Sequence, residues 1–264
     1  MRSKGPRESQ EDRAGATESP THILLAVVDG MGGLEGGAEA AQTVQDALLL
    51  ETNVKLALEK AHQALLEHNK KTHANLEPKE MPGAVGTLVS IDRKSLTAQV
   101  GHLGDTRLYL CRGGEVELIT TDQVDEANLP TQDFGRTEIE PVVTEIRLRY
   151  QDILILASDG AYNVDPYPED NFKHFLSRFS HRLMTFAKEY ELQYQDSFKD
   201  NATLLLFRIQ PSDVKEERQN IPILNPRTKN ALIIVLYIVI AFLVGFWAGA
   251  NHIEKQLSEQ SVSD

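Results

Sequence analysis

Residues 85–121 read VGTLVSIDRKSLTAQVGHLGDTRLYLCRGGEVELITT, and the fold class turns on this stretch. Four short runs rich in β-branched residues, VGTLVSID, SLTAQVGHLG, TRLYLCR and EVELITT, are separated by Arg-Lys, Gly-Asp and Gly-Gly turn signals. The pattern predicts consecutive antiparallel strands. Toward the amino terminus, an apolar run from Ile23 to Val28 ends in Asp-Gly. A Gly-rich turn then leads into AEAAQTVQDALLL and NVKLALEKAHQALLEHNKK. Apolar residues in these two segments recur three and four apart, which predicts two amphipathic helices. Toward the carboxyl terminus, strand signals return in VVTEIRLRY and DILILAS. Helical patterns follow around Phe172 to Phe179 and Leu183 to Tyr194, and then a last strand, ATLLLFRI. Helices in pairs and strands in runs favour an α+β sandwich over a parallel βαβ sheet.

Composition narrows the class further. From Ala231 to Ala250 the chain reads ALIIVLYIVIAFLVGFWAGA without a charge. At about 1.5 Å per residue that run matches a hydrocarbon core of roughly 30 Å, so one transmembrane helix is expected at 231–250. Residues 1–210 then form one domain, 211–230 a Pro-, Asn- and charge-rich linker, and 251–264 a short polar tail. The polar amino terminus has no apolar h-region. Arg227 and Lys229 precede the span, whereas Lys255 is the one Lys or Arg after it. The expected location is a single-pass membrane protein with a cytoplasmic domain. The lone Cys111 excludes an intramolecular disulfide and reads as core. A formal charge of −12 without clustered Lys and Arg disfavours nucleic acid as a partner.

Some of the acidic surplus is placed in a pattern. Asp29-Gly30, Gly104-Asp105, Asp159-Gly160 and Asp200-Asn201 each stand at the end or start of a strand-like run. Singly, each reads as an ordinary turn. Strands of one sheet can bring their ends to one edge, and carboxylates gathered there repel unless a cation neutralises them. Oxygen donors without a Cys or His set point to Mg²⁺ or Mn²⁺. Two such ions roughly 3.5–4 Å apart would activate a bridging water for in-line attack at phosphorus, which is phosphate-ester hydrolysis.

Seven elements in order carry a resemblance: R-x-x-x-E-D (Arg7, Glu11, Asp12), V-V-D-G-M-G-G (Val27 to Gly33), G-T-L-V (Gly86 to Val89), G-D-T-R (Gly104 to Arg107), T-D-Q (Thr121 to Gln123), A-S-D-G (Ala157 to Gly160) and K-D-N-A-T (Lys199 to Thr203). Together they resemble the metal-dependent protein phosphatase family, the type 2C serine/threonine phosphatases, over almost the whole soluble part. The D-G-M-G-G form leans toward bacterial members. The resemblance implies a four-layer α-β-β-α sandwich with two central, mostly antiparallel sheets and a centre of two Mn²⁺ or Mg²⁺ ions at their edge. It also implies hydrolysis of phosphoserine and phosphothreonine by a metal-bridging hydroxide.

Carried over by position, Asp29 would bridge both ions, the Gly30 carbonyl would bind one, and Asp159 and Asp200 would hold the other. Asp29, Asp159 and Asp200 are thus the catalytic aspartates. Asp12 joins the metal set, and Glu11 or Asp12 would act mainly through ordered waters. Arg7 would grip the substrate phosphate, and Asp105 with Asp159 matches the place where some members hold a third, looser ion. Arg107 is expected to orient or pack, and His102 to be a satisfied strand residue. Met31 stands where some animal members have a histidine acid, and it cannot donate a proton. The six residues ahead of Arg7 leave little or no strand to fix it, and the polar segment 122–141 matches the substrate-facing flap. The partners implied are phosphorylated proteins, among them a membrane-bound kinase and its substrates, and a lipid bilayer through 231–250. The alternative reading is a catalytically weak or inactive, membrane-tethered phosphoprotein-binding module of the same fold.

Overall fold

The computed structural model describes residues 1–32, 36–77, 80–163, 168–179 and 183–211. The chain divides into the units Met1–Lys215 and Glu216–Asp264. The second unit, and with it the expected span at 231–250, lies outside the described residues. No helix among those described is long and apolar enough to cross a membrane.

The first unit contains two five-stranded sheets. One has the order β2 (Arg13–Glu18), β3 (His22–Met31), β4 (Gly83–Asp92), β5 (Thr97–Leu103), β8 (Val142–Arg147). The other runs β1 (Arg2–Ser3), β10 (Ala202–Arg208), β9 (Ile153–Ala157), β6 (Arg107–Arg112), β7 (Glu115–Leu118). Every pairing is antiparallel. The expectation of consecutive antiparallel strands therefore needs a correction. β4–β5 and β6–β7 are hairpins, but the chain changes sheets between β5 and β6, at Gly104 with φ +96°. A side chain there would meet Val85 and hold a backbone conformation that L-residues avoid.

Period-two alternation assigns each strand face to a layer. In β3, Leu24, Ala26 and Val28 pack with Ala40, Ala41, Val44 and Leu48 of α1 (Gly36–Leu48) and with Ala57, Leu58, Ala61 and Leu65 of α2 (Val54–Thr72). Ile23, Leu25 and Val27 face the other way and join Leu108, Leu110, Leu154 and Leu156 in the core between the sheets. The outer face of the second sheet, with Tyr109, Ile153, Ile155 and Leu204, is covered by Phe172, Phe175 and Leu176 of α4 (Pro168–Phe179) and by Phe186 and Tyr190 of α5 (Leu183–Tyr194). The helices start and pack as their periodicity requires. In α2 the Asn53 side chain accepts from Leu56 N at 3.1 Å, and its buried positions fall three and four apart.

The amino terminus corrects a second expectation. Residues 2–3 form β1, paired to Ala202 and Thr203, and Met1 exchanges hydrogen bonds of 3.0 Å with Leu204. The segment ahead of Arg7 is tied into a sheet, and β2, a half-exposed strand without an apolar face, follows it.

Candidate active site

Four strand ends meet at one edge of the sandwich. Asp29 continues the series Ile23, Leu25, Val27, so its side chain is directed between the sheets where β3 ends. The register Arg13↔Val28 carries Asp12 beside it. Asp159 opens α3 (Asp159–Tyr162) directly after β9, and Asp200 stands just before β10, whose Leu204 pairs with Ala157. Asp105 lies in the crossing from β5 to β6. Asp29, Asp105, Asp159 and Asp200, the four aspartates of the strand-end dipeptides, line one cleft of about 280 Å³ together with Arg7, Glu11, Gly30, Met31 and Asn201. Asn128, Leu129 and Pro130 of the segment 122–141 also line it. Asp12 is fully buried behind this lining, whereas Glu11, its neighbour, reaches the cleft.

The electrostatics are those of crowded carboxyls. Burial, then the charges of Asp12, Asp159, Asp105 and Asp200, push Asp29 well above the usual carboxylate range. Burial chiefly lifts Asp12 to about 6, and burial with Asp159 and Asp122 lifts Asp105 to about 7. Asp159 is raised by burial and by Asp200. Asp29 has Asp12 and Asp159 as close carboxyl neighbours. A shared proton lowers the cost of such contacts, and a cation does so more fully.

The residues fit divalent ions. One carboxylate oxygen each of Asp12 and Asp159 is shielded from water with no hydrogen-bond partner among the described residues, and the whole donor set is hard oxygen. No three of the cleft carboxylates have oxygens within 4.8 Å of one another. Such spacing suits ions that keep several waters better than an all-protein cage. Gly30 is required by close packing, because a Cβ there would collide with the carbonyl of Gly37 on α1.

Two residues that the sequence reading passed over hold this arrangement. Ser158 donates to Asp12 Oδ2 at 2.7 Å and accepts from Thr203 N at 3.0 Å, fixing one carboxylate between β9 and β10. Asn201, 3% exposed, accepts from Glu11 N at 2.6 Å and donates to the carbonyls of Lys4 at 2.8 Å and Ser9 at 2.9 Å. The available signal was their place inside A-S-D-G and K-D-N-A-T. Arg7 forms an ion pair with Asp200 on the rim. Arg107 is bidentate to Asp122, with contacts of 2.7 and 3.1 Å, and lies 3.9 Å over the Tyr162 ring. The Tyr162 hydroxyl in turn donates to the Asp105 carbonyl at 2.9 Å. His102 is held between Thr87 Oγ1 and the Thr121 carbonyl. Gln123 clamps the sheet crossing from both sides: its Oε1 accepts from Gly104 N, and its own N–H donates to the Gly104 carbonyl, both at 2.8 Å. Burial pushes the Cys111 thiol up to about 12.

Comparison with known proteins agrees with this fold. Residues 6–195 match the family described as Protein phosphatase 2C. The chain is 28% identical over 211 residues to the serine/threonine protein phosphatase PstP of Mycobacterium tuberculosis, covering 69% of this chain but 40% of that protein. It is 30% identical over 184 residues to the protein phosphatase PhpP of Streptococcus pneumoniae, covering 58% of this chain and 70% of that one. A crystal structure of the catalytic domain of a PstP phosphatase with two manganese ions superposes with a TM-score of 0.60 at 25% identity, covering 78% of this chain and 94% of that chain. Matched over most of its length, the chain belongs to the Protein phosphatase 2C family.

Proposed function

We propose that the protein hydrolyses phosphoserine and phosphothreonine esters on proteins, with two Mn²⁺ or Mg²⁺ ions in the acidic cleft. The observation that carries this reading is the convergence of Asp29, Asp105, Asp159 and Asp200, from four separate strand ends, on one cleft with Arg7 at its rim. The manganese-bound PstP structure and the phosphatase relatives support it. Bound ions would supply positive charge opposite the phosphate oxygens and a nucleophile at neutral pH by lowering the pKa of water.

The chain's own residues have the following roles. Asp29 and the Gly30 carbonyl would hold one ion, and Asp159 and Asp200, with Asp29, would hold the other. Glu11 contributes through ordered waters. Asp12, buried behind Asp29 and oriented by Ser158, sets the charge at its back. Asp105 with Asp159 offers the place for a third, looser ion. Arg7 exchanges its partner Asp200 for the substrate phosphate, which its planar fork can meet with two hydrogen bonds. Met31 has no proton to give the leaving alcohol, and water held by a bound ion could serve as the acid instead. The acidic segment 122–141, whose Asn128, Leu129 and Pro130 line the cleft, favours basic phosphopeptides. The uncharged run 231–250 supports a membrane anchor with the enzyme on the cytoplasmic side, and membrane-bound kinases and their substrates within its reach.

The test is Mn²⁺-dependent phosphate release from a phosphothreonine peptide by the full chain and by its Asp29→Asn and Asp200→Asn variants. The expected result is turnover in the parent chain and its loss in both variants. A parent chain that binds the peptide and releases no phosphate with Mn²⁺ present would establish a non-catalytic binding module instead.

A further inference from the structure

Away from the cleft, two histidines and a glutamate converge where the end of α2 meets the first turn of α1. One ligand atom each from Glu39, His68 and His73 lies within 4.8 Å of the others, a trio that no other His, Cys, Asp or Glu side chains form among the described residues. From this geometry we infer a transition-metal site of the two-imidazole, one-carboxylate kind, suited to Zn²⁺.

Helix geometry alone does not produce it. Residues five apart on a continuous α-helix point about 140° away from each other. His73 is the C-cap, with φ −123° and ψ 30°, and its N–H still closes on the Asn69 carbonyl at 2.8 Å. The break in the helix brings its ring back to within 6.1 Å of the His68 ring, centroid to centroid. Glu39, on the neighbouring helix, completes the set.

The nitrogens themselves point to a ligand. His68 Nε2 and His73 Nε2 are both shielded from water, and neither makes a hydrogen bond among the described residues. His68 Nε2 lies 3.4 Å from Glu39 Oε2 but is not aligned to donate to it. Two ligand atoms on a tetrahedral ion, each about 2.0–2.1 Å from it, are roughly 3.3–3.4 Å apart, which is the separation already present between Glu39 and His68. Closing the trio needs only rotamer-scale movement of side chains, two of which are partly exposed and the third exposed. An ordinary Glu39–His68 ion pair accounts for one imidazole and leaves the second nitrogen without a role. An ion accounts for both.

The donor type sets the selectivity. Imidazole favours zinc and its neighbours over Mg²⁺, whereas the all-oxygen cleft favours the harder ions. Three protein ligands leave one position for water, as in open zinc sites. This inference stands independently of the phosphatase reading.

The experiment is a Zn²⁺ titration of the full chain against a chromophoric chelator, in millimolar Mg²⁺ to occupy the oxygen sites, followed by zinc X-ray absorption. His68→Ala, His73→Ala and Glu39→Gln are carried in parallel, each checked for folding by circular dichroism. The expected result is one retained zinc equivalent with two imidazole nitrogens in its coordination sphere. Affinity should weaken by about tenfold or more in either histidine variant, and by less in Glu39→Gln. Glu39 is exposed, so its variant keeps the test intact should a histidine variant fail to fold. Zinc affinity unchanged in every folded variant, or a sphere of oxygens alone, would overturn the site.

Discussion

Replacing Asn201 by alanine should loosen the whole segment that carries Arg7 and Glu11. The side chain makes three hydrogen bonds to backbone groups at Lys4, Ser9 and Glu11, and all are lost together. At roughly 0.5–1.5 kcal/mol net for each, the loss is about 3 kcal/mol, and the Glu11 N–H is left without its acceptor. For a chain of this size 1 kcal/mol corresponds to about 2–4 °C in Tm, so global unfolding would shift by about 6–12 °C. The shift is smaller where residues 4–11 open locally before the core does, and then the activity carries the effect. Both are read in one experiment: thermal denaturation beside phosphopeptide kinetics at saturating Mn²⁺. Asn201→Asp keeps the acceptor for Glu11 N–H and loses both donors, so it should fall between the parent and Asn201→Ala. An Asn201→Ala protein that melts with the parent chain, and whose kcat/KM stays within about twofold, would refute the claim that this side chain holds the segment.

Asp12, lifted to about 6, and Asp105, lifted to about 7, bind protons more tightly folded than unfolded. Their stabilising contribution is therefore complete below the ordinary carboxylate pKa of about 4 and is lost as pH rises through 6 and 7. A cation offsets the ionised form, so the Tm gain from Mn²⁺ over chelator should grow between about pH 5 and pH 8, and equal gains would contradict the assignment of the cleft. Arg7→Ala should lower kcat/KM by about 10–100-fold, the scale of lost charge-assisted hydrogen bonds, and Arg7→Lys should restore it only in part. Steady-state kinetics with a phosphothreonine peptide checks both, and an Arg7→Ala enzyme with parental kcat/KM would remove Arg7 from substrate binding. Asp152, 1% exposed, accepts from Arg112 at 2.6 and 2.9 Å and from Arg149 N at 2.7 Å, at the end of β9 opposite Asp159. Asp152→Ala should cost about 3 kcal/mol in urea denaturation and leave kcat unchanged, and a stability equal to the parent's would show that Arg112 is solvated once freed.

What could be read from the sequence follows from the range of the interaction involved. The run Ile23 to Val28 was legible as a strand because a short apolar run ended by Asp-Gly is a local signal, though with every residue apolar its alternation between two layers, and hence the aim of Asp29, shows only in the fold. Helices α1, α2, α4 and α5 were legible for the same reason, since their apolar spacing is local. Alternation says nothing, however, about which sheet a strand joins. β5 and β6 look like one more hairpin until the left-handed Gly104 sends the chain across. β2 escaped notice because RAGATE, half exposed beside β3, has no apolar period, and β1 because two residues make no pattern. The grip on residues 4–11 is less legible still. It consists of one amide bonded to backbone 190 and more positions away, and backbone groups leave no trace in residue identity.

That amide ties together features that appear separate in sequence. Asn201 adjoins Asp200 and holds the segment from Lys4 to Glu11, so a proposed metal ligand, the arginine paired to it and the glutamate facing the cleft share one support. Movement of the start of β10 must displace all three. On the proposed assignment, ion binding at Asp200 and phosphate binding at Arg7 would be energetically linked: a cation that neutralises Asp200 would free the guanidinium while the support keeps it at the rim. Linkage of that kind is reciprocal, so inorganic phosphate should tighten Mn²⁺ binding to the parent chain by the same factor that Mn²⁺ tightens phosphate binding, and Arg7→Ala should weaken the effect to what direct attraction between ion and phosphate supplies. Calorimetric titration of each ligand in the presence of the other measures both factors, and affinities that do not respond to one another would separate the two sites.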